Sequence, residues 1–536
     1  MPLVPVAEPR FSCQTVLPIR FRVLAAFAAV SFLQGASFSV FALNPDLSIL
    51  LLPSLTRNLE GWTLNCNNIA QAGFIFIAIY LLRERPSPAP TGLRTIAVIG
   101  SLTQFVQSFC WYVATLVPSA EVQVWLVLFG SSAGGVCTGC VQGACSRISA
   151  VWFPPDERSG ATGNVYSAYF AGQLLFTAIS LFFCADFDVL YTLHVQLGLS
   201  VLNCIIILAW FPDRPVSDES PLKIYRDTLI SRATRDATRG ASTRGTHTRD
   251  GTRSTGGGLL DRLLDRSTQP AAPGDASEGA RAGARSRSIA KSSWLSSLRN
   301  VGLSSVLLII SVSWSTGVYQ AYGQVLPLAF ANEGGATYLP CNYSAYARLS
   351  NAQGDRFALA STATYAIGGS FGGMVADRFF ERRLKRLVLL CYLALTINFG
   401  LIIMSMPPPP FFVTNTGGVS FGPGGEPLAI VLVATSGLFS SMATVPALEL
   451  LAEAATLSEG ASNNLVMLGT QIFGIMLTYL SNVIATPGLG ILICIFIICC
   501  SVIVSPITER YARFEAIHAV VAEEVAMATI LEQTAL

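Results

Sequence analysis

"IGGSFGGMVADRFFERRLKR", Ile367 to Arg386, opens as a glycine-rich apolar stretch and closes with seven charged side chains in ten residues. Gly368, Gly369, Gly372 and Gly373 recur at small-x-x-x-small spacing, which lets one helix approach another closely inside a bilayer. Charge that begins so abruptly, and is mostly basic, marks the point where a helix leaves hydrocarbon for water. The stretch therefore predicts a membrane helix that ends in a charged junction.

Composition extends this reading to the whole chain. Hydrophobic residues make up 52% and charged residues 12% of the sequence, whereas soluble domains carry roughly a quarter charged residues. A bilayer core of about 30 Å needs roughly 20 apolar residues per helix, and twelve such runs are found. Six lie near Phe21–Leu43, Thr63–Leu82, Thr95–Val117, Val122–Cys145, Ser159–Phe183 and Val189–Phe211. Six more lie near Gly302–Phe330, Phe357–Ala376, Leu387–Met406, Pro427–Leu450, Asn463–Val483 and Gly488–Val504. The first run is too long for a cleaved signal peptide and is read as a retained helix. The expected division is a tail over 1–20, a six-helix bundle over 21–211, a linker over 212–300, a second six-helix bundle over 301–506 and a tail over 507–536. The fold class is all-α, a polytopic membrane protein.

The near-zero net charge of +2 hides a strong asymmetry. With loops assigned alternately from an inner N-terminus, only Arg57, Arg348 and Arg356 fall outside, which leaves the other 31 of 34 Lys and Arg inside. This is the positive-inside pattern for an even number of spans with both termini in the cytosol, in the plasma membrane or an organelle membrane. Asn342-Tyr343-Ser344, a glycosylation acceptor triplet, falls in a loop that this topology places outside. In the linker, "SRATRDATRGASTRGTHTRDGTRSTGGG" has almost no apolar residues, so it is expected to be a disordered tether whose arginines suit anionic lipid headgroups.

Few residues point to chemistry. Cys137 and Cys140 form a C-x-x-C inside a span, with no second pair or histidine beside them, and are read as packing. G-x-S-x-G recurs around Ser132, Ser370 and Ser420, yet none follows an expected strand, and a chain with three histidines has little to offer as a base. No enzyme, cofactor, metal or nucleic-acid partner is expected, and the chain is expected to act as a monomer. The middle of the spans carries no Asp, Glu, Lys or Arg, where a charge would mark ion or proton coupling.

Neutral polar and aromatic side chains are abundant there instead. Gln34, Asn44, Gln107, Trp111, Tyr166, Tyr169, Gln173, Tyr319, Tyr322, Gln324 and Gln471 are candidate solute contacts, since such groups are costly against lipid and suit a wet central cavity. Taken singly, each also suits interhelical bonding. Glu449 and Glu453 form an acidic pair spaced i and i+4 at the inner end of span ten, placed to pair with arginine from a neighbouring helix end or to hold a proton.

Six spans, a linker and six spans is the arrangement of the major facilitator superfamily, and "GGMVADRFFERR" resembles that superfamily's G-x-x-x-D-R-x-x-x-R-R signature. The resemblance implies a conformational latch in which Asp377 meets guanidinium groups of Arg378, Arg382 and Arg383. "SRISAVWFPPDERSGATG" from Ser146, "PALELLAEAATLSEGASNNLVMLGTQIFGI" from Pro446, "GLR" at Gly92 and "STGVYQAYGQVLP" from Ser315 are similar to the feline leukaemia virus subgroup C receptor family, solute carrier family 49. That likeness implies a facilitator of a small organic solute by alternating access: choline or ethanolamine, haem, or a pyridoxine-type vitamin. The other outcome is a receptor or scaffold that keeps the fold without flux. Choline-handling members carry Trp directly after a span-one Gln, where this chain reads Gln34-Gly35. Their span-five Gln falls on Phe170, with Gln173 a turn further, and their span-seven Tyr falls on Tyr319 or Gln320.

Overall fold

The computed structural model describes residues 18–38, 40, 51–52, 54, 57–82, 92–154, 157–180, 186–213, 302–332, 345–380, 383–405, 425–454, 459–481 and 486–507. Asn44, Asn342, Arg382 and almost all of the linker and both tails lie outside the described residues, as do the side chains of Tyr322 and Gln324.

The described residues form twelve helices. The first six are α1 (Pro18–Phe38), α2 (Arg57–Leu82), α3 (Leu93–Leu116), α4 (Ala120–Trp152), α5 (Arg158–Ser180) and α6 (Asp186–Trp210). The second six are α7 (Leu303–Asn332), α8 (Ala345–Phe379), α9 (Leu384–Ser405), α10 (Gly425–Ala454), α11 (Glu459–Ser481) and α12 (Thr486–Val504). Each coincides with one expected span. Several outrun it: α2 starts at Arg57, ahead of the expected Thr63, α4 continues past Cys145 to Trp152, and α8 starts at Ala345, ahead of the expected Phe357, taking in Arg348 and Arg356. Hydropathy finds only the part of a helix that lies in hydrocarbon, while the backbone hydrogen-bond ladder runs on into the interface.

Packing in the first six helices recurs six helices later. Helix α1 lies on α5 as α7 lies on α11; α2 on α4 matches α8 on α10; and α3 on both α4 and α6 matches α9 on both α10 and α12. One apolar core lies wholly in the first bundle around Phe27, Val30, Cys140, Ile148 and Trp152. Another fills the second bundle and reaches across to Ile75, Tyr166 and Phe170. Outward, Leu390, Leu393, Ile397 and Leu401 of α9 are exposed at three- and four-residue spacing, one stripe for lipid tails.

Among the described residues, seven helices are long and apolar enough to cross a membrane by composition, and α5, α8 and α11 are not among them. Between the bundles α5 meets α8, and α11 meets α2 and α4. Because lipid tails are as apolar as leucine, close backbone approach replaces hydrophobic drive in such contacts. The α1–α5 pair shows the limit. A Cβ added at Gly35 would sit 1.8 Å from the Tyr169 carbonyl oxygen, and one at Gly172 would sit 1.9 Å from that of Phe32. The tryptophan that choline-handling proteins place after the span-one glutamine has no room here.

Candidate functional site

The two bundles meet along a seam whose described bonds begin at the linker end, where α6 stops and α7 starts. Helix α5 is fixed there first. Arg20 Nη1 at the start of α1 pairs with Glu157 Oε2 at 3.0 Å, and the Arg20 guanidinium lies over the rings of Phe21 and Phe153. The first turn of α5 then receives two carboxylates from the second bundle. The Gly160 backbone N–H donates to Asp377 Oδ2 of α8 at 2.7 Å. The Thr162 hydroxyl donates to Glu449 Oε1 of α10 at 2.8 Å. The first N–H groups of a helix lack partners within it and carry the positive end of the helix dipole, so anions there are stabilised.

Asp377, expected to meet guanidinium groups in a latch, sits at the junction between halves and is held there by Ser159 and the Gly160 N–H of the other bundle; Arg382 lies outside the described residues. Arg378 and Arg383 are exposed, and Arg378 lies over the Phe379 ring. A carboxylate half-buried against a helix end is already matched electrostatically, which leaves the arginines free to face water. Glu449 accepts from the Thr162 hydroxyl; Glu453 lies one turn further along α10, half-buried.

Above the carboxylates the seam is closed by backbone. A Cβ at Gly373 would lie 2.4 Å from the Ser159 carbonyl oxygen, and one at Gly163 would lie 2.5 Å from that of Gly369. The Ser370 N–H donates to Ser167 Oγ at 2.8 Å. The glycines of the opening stretch thus serve α5 as well as α10, since a Cβ at Gly368 or Gly372 would meet α10 backbone at 2.7 Å. A second contact is built by α11: Asn464 Nδ2 donates to the Gly143 carbonyl of α4 at 3.0 Å, and Asn463 Nδ2 donates to that of Gln142.

Twelve residues up α8 from Asp377, roughly 18 Å at the helical rise, the seam becomes aromatic. The hydroxyls of Tyr166 and Tyr365 are 3.0 Å apart. The Phe170 ring centre lies 4.2 Å from that of Tyr365, and Tyr319 stacks on the Tyr365 ring at 4.1 Å. The Tyr319 hydroxyl donates to the Ser361 carbonyl at 3.0 Å. Tyr169 joins Phe170 to Phe38 of α1.

The structure divides the expected solute contacts. Tyr166, Tyr319 and, beside them, Tyr169 belong to the seam cluster. Gln34 is bound within the first bundle, Nε2 donating to the Gly134 carbonyl at 2.9 Å and to Thr138 Oγ1 at 3.1 Å. Trp111 donates to the Val127 carbonyl at 3.1 Å, and Gln107 is buried beside it between α3 and α4. Gln173 is half-buried on α5 and Gln471 buried on α11. Gly160, Thr162 and Tyr365 make contacts across the seam that the sequence did not single out. A backbone N–H has no residue-type signal, although the small pair Gly160 and Gly163 mirrors the glycines of α8.

Comparison with known proteins follows this geometry. The family profile described as Major Facilitator Superfamily matches residues 24–458. A curated Arabidopsis thaliana protein, "Probable anion transporter 4, chloroplastic", is 28% identical over 172 residues, 32% of this chain and 29% of that protein's own length. Among solved structures, the E. coli fucose:proton symporter FucP aligns over 91% of this chain and 99% of its own, with a TM-score of 0.52 at 10% identity. The proton:xylose symporter XylE bound to 6-bromo-6-deoxy-D-glucose aligns over 91% and 94%, with a TM-score of 0.55 at 12% identity.

Proposed function

Because this chain belongs to the Major Facilitator Superfamily, a family of membrane transporters and not of enzymes, we propose that it moves a small organic solute by alternating access, with the seam as its moving part. The observation that carries this reading is the pair of carboxylates, Asp377 and Glu449, seated on the first turn of α5 from the opposite bundle. A small set of hydrogen bonds and a run of glycine contacts close the linker end tightly, and such contacts separate as a unit when the bundles rock.

The state described is closed at the linker end. With that end in the cytosol, as the basic loops indicate, it is a state closed to the cytosol. The aromatic cluster of Tyr166, Phe170, Tyr319 and Tyr365 forms the floor on which a solute rests. It offers ring faces and hydroxyls without a fixed charge, which suits a neutral solute or a delocalised cation; each stacked ring contributes about 0.5–2 kcal/mol to a cation. The likeness to solute carrier family 49 supplies the candidates: choline, ethanolamine, haem and a pyridoxine-type vitamin.

The test is uptake of each labelled candidate into liposomes holding the purified chain. Saturable uptake of one of them is expected. Flux confined to sugars or inorganic anions replaces the solute class, and binding without any flux replaces the transporter with a receptor.

A further inference from the structure

Inside the first bundle, away from the linker end, α1 to α4 enclose a cavity of about 10 Å³ bounded by Phe38, Thr63, Asn67, Gln107, Trp111 and Ser131. That is room for one water-sized group. Gln107 is 0% exposed and Asn67 3%. Neither amide atom of Gln107, nor Oδ1 of Asn67, has a hydrogen-bond partner among the described residues. A buried amide left unmatched destabilises the empty protein, so its retention needs a reason.

The cavity is a built feature. A Cβ at Gly134 would lie 2.5 Å from Gln107 Oε1, and one at Gly130 would lie 2.7 Å from Trp111 Cδ1. Gln107 and Trp111 are one turn apart on α3, and the two glycines are one turn apart on antiparallel α4. The helices therefore seat the two side chains as a pair. The Asn67 backbone is set the same way, its carbonyl oxygen 2.1 Å from where a Cβ at Gly135 would be.

The orphaned atoms choose the ligand. A cation satisfies the two amide oxygens and leaves Gln107 Nε2 unpaired, while an anion does the reverse. A hydroxyl bridges the two kinds of orphan, accepting from Nε2 and donating its one hydrogen to one of the two carbonyl oxygens. The Phe38 wall continues through Tyr169 and Phe170 to Tyr365 at the seam.

We propose that this cavity is a hydroxyl subsite of the transport path, taking one uncharged hydroxyl of a small solute whose remainder lies toward the seam aromatics. The proposal rests on the transporter reading and narrows it to hydroxylated solutes, choline, ethanolamine or pyridoxine, over haem. A bound water offers the same chemistry with a second hydrogen for the remaining carbonyl oxygen, and the experiment separates the two.

The purified full chain is compared with Gln107→Met on two matched pairs: choline with ethyltrimethylammonium, and pyridoxine with 4-deoxypyridoxine. The wild type is expected to prefer the hydroxylated member of at least one pair by about tenfold, the worth of one buried hydrogen bond. Gln107→Met should lose that preference through slower uptake of the hydroxylated member only, and its ligand-free Tm should be unchanged or raised because an unmatched amide is gone. A wild type without preference in either pair, equal losses for both members, or a lowered ligand-free Tm, which marks an amide satisfied by water, each overturns the subsite. Should Gln107→Met not fold, Asn67→Ala is judged by the same preference. Flux of other solutes without hydroxyl preference ends the subsite and leaves the transporter reading standing. Absence of all flux ends the transporter reading, and thermal-shift binding of the same pairs then decides the subsite.

Discussion

Replacing Asp377 by Asn keeps the shape of the side chain and removes the charge that sits on the first turn of α5. The amide oxygen still accepts from the Gly160 N–H at the position of Oδ2, 2.7 Å away, so the loss is the charge–dipole part together with part of the Ser159 contact. An anion at a helix N-terminus is worth about 0.3–1 kcal/mol when exposed and up to ~2 kcal/mol when partly buried, and Asp377 is half-buried. A loss of ~1 kcal/mol shifts the balance between closed and open linker ends about fivefold toward open. Asp377→Ala also strands the Gly160 N–H, which adds ~1–3 kcal/mol, and its shift should reach tens-fold or more. The assay is the distance distribution between spin labels at the linker ends of α5 and α8, with uptake measured on the same preparations. The longer distance should grow in the order wild type, Asn, Ala, with expression nearly constant. Wild-type distances and wild-type flux in both variants would refute the reasoning.

The glycine contacts give a sharper version of the same test. Gly163→Ala places a methyl 2.5 Å from the Gly369 carbonyl oxygen, an overpacking that costs about 1–3 kcal/mol in the linker-closed state only; spin-label distances should lengthen and uptake fall. Tyr365→Phe removes the 3.0 Å hydroxyl contact with Tyr166 and keeps the ring contacts with Phe170 and Tyr319, so solute affinity should hold while the open–closed balance shifts by ~1 kcal/mol, read by the same labels. Asn342→Gln should abolish a glycosidase-sensitive gel shift in a eukaryotic host, and a shift that persists in the variant removes this support for the topology.

Sequence alone determined the parts that lipid dictates. A bilayer without water demands that each crossing satisfy its own backbone as a helix, so every span is written locally in twenty or so residues. All twelve helices coincide with expected runs for that reason, and the glycine spacing before Asp377 announced a close approach. What the sequence could not write locally is who approaches whom. Asp377 accepts from a main-chain N–H 217 residues earlier, which no side chain advertises. Gln34 and Gln107 sit in equally polar-patterned spans, yet one is bonded within its bundle and the other holds an unmatched amide in a cavity. Only the packing of α4 against α1 and α3 separates them, because hydrogen bonding depends on distances across helices and hydropathy records only the residue's own chemistry.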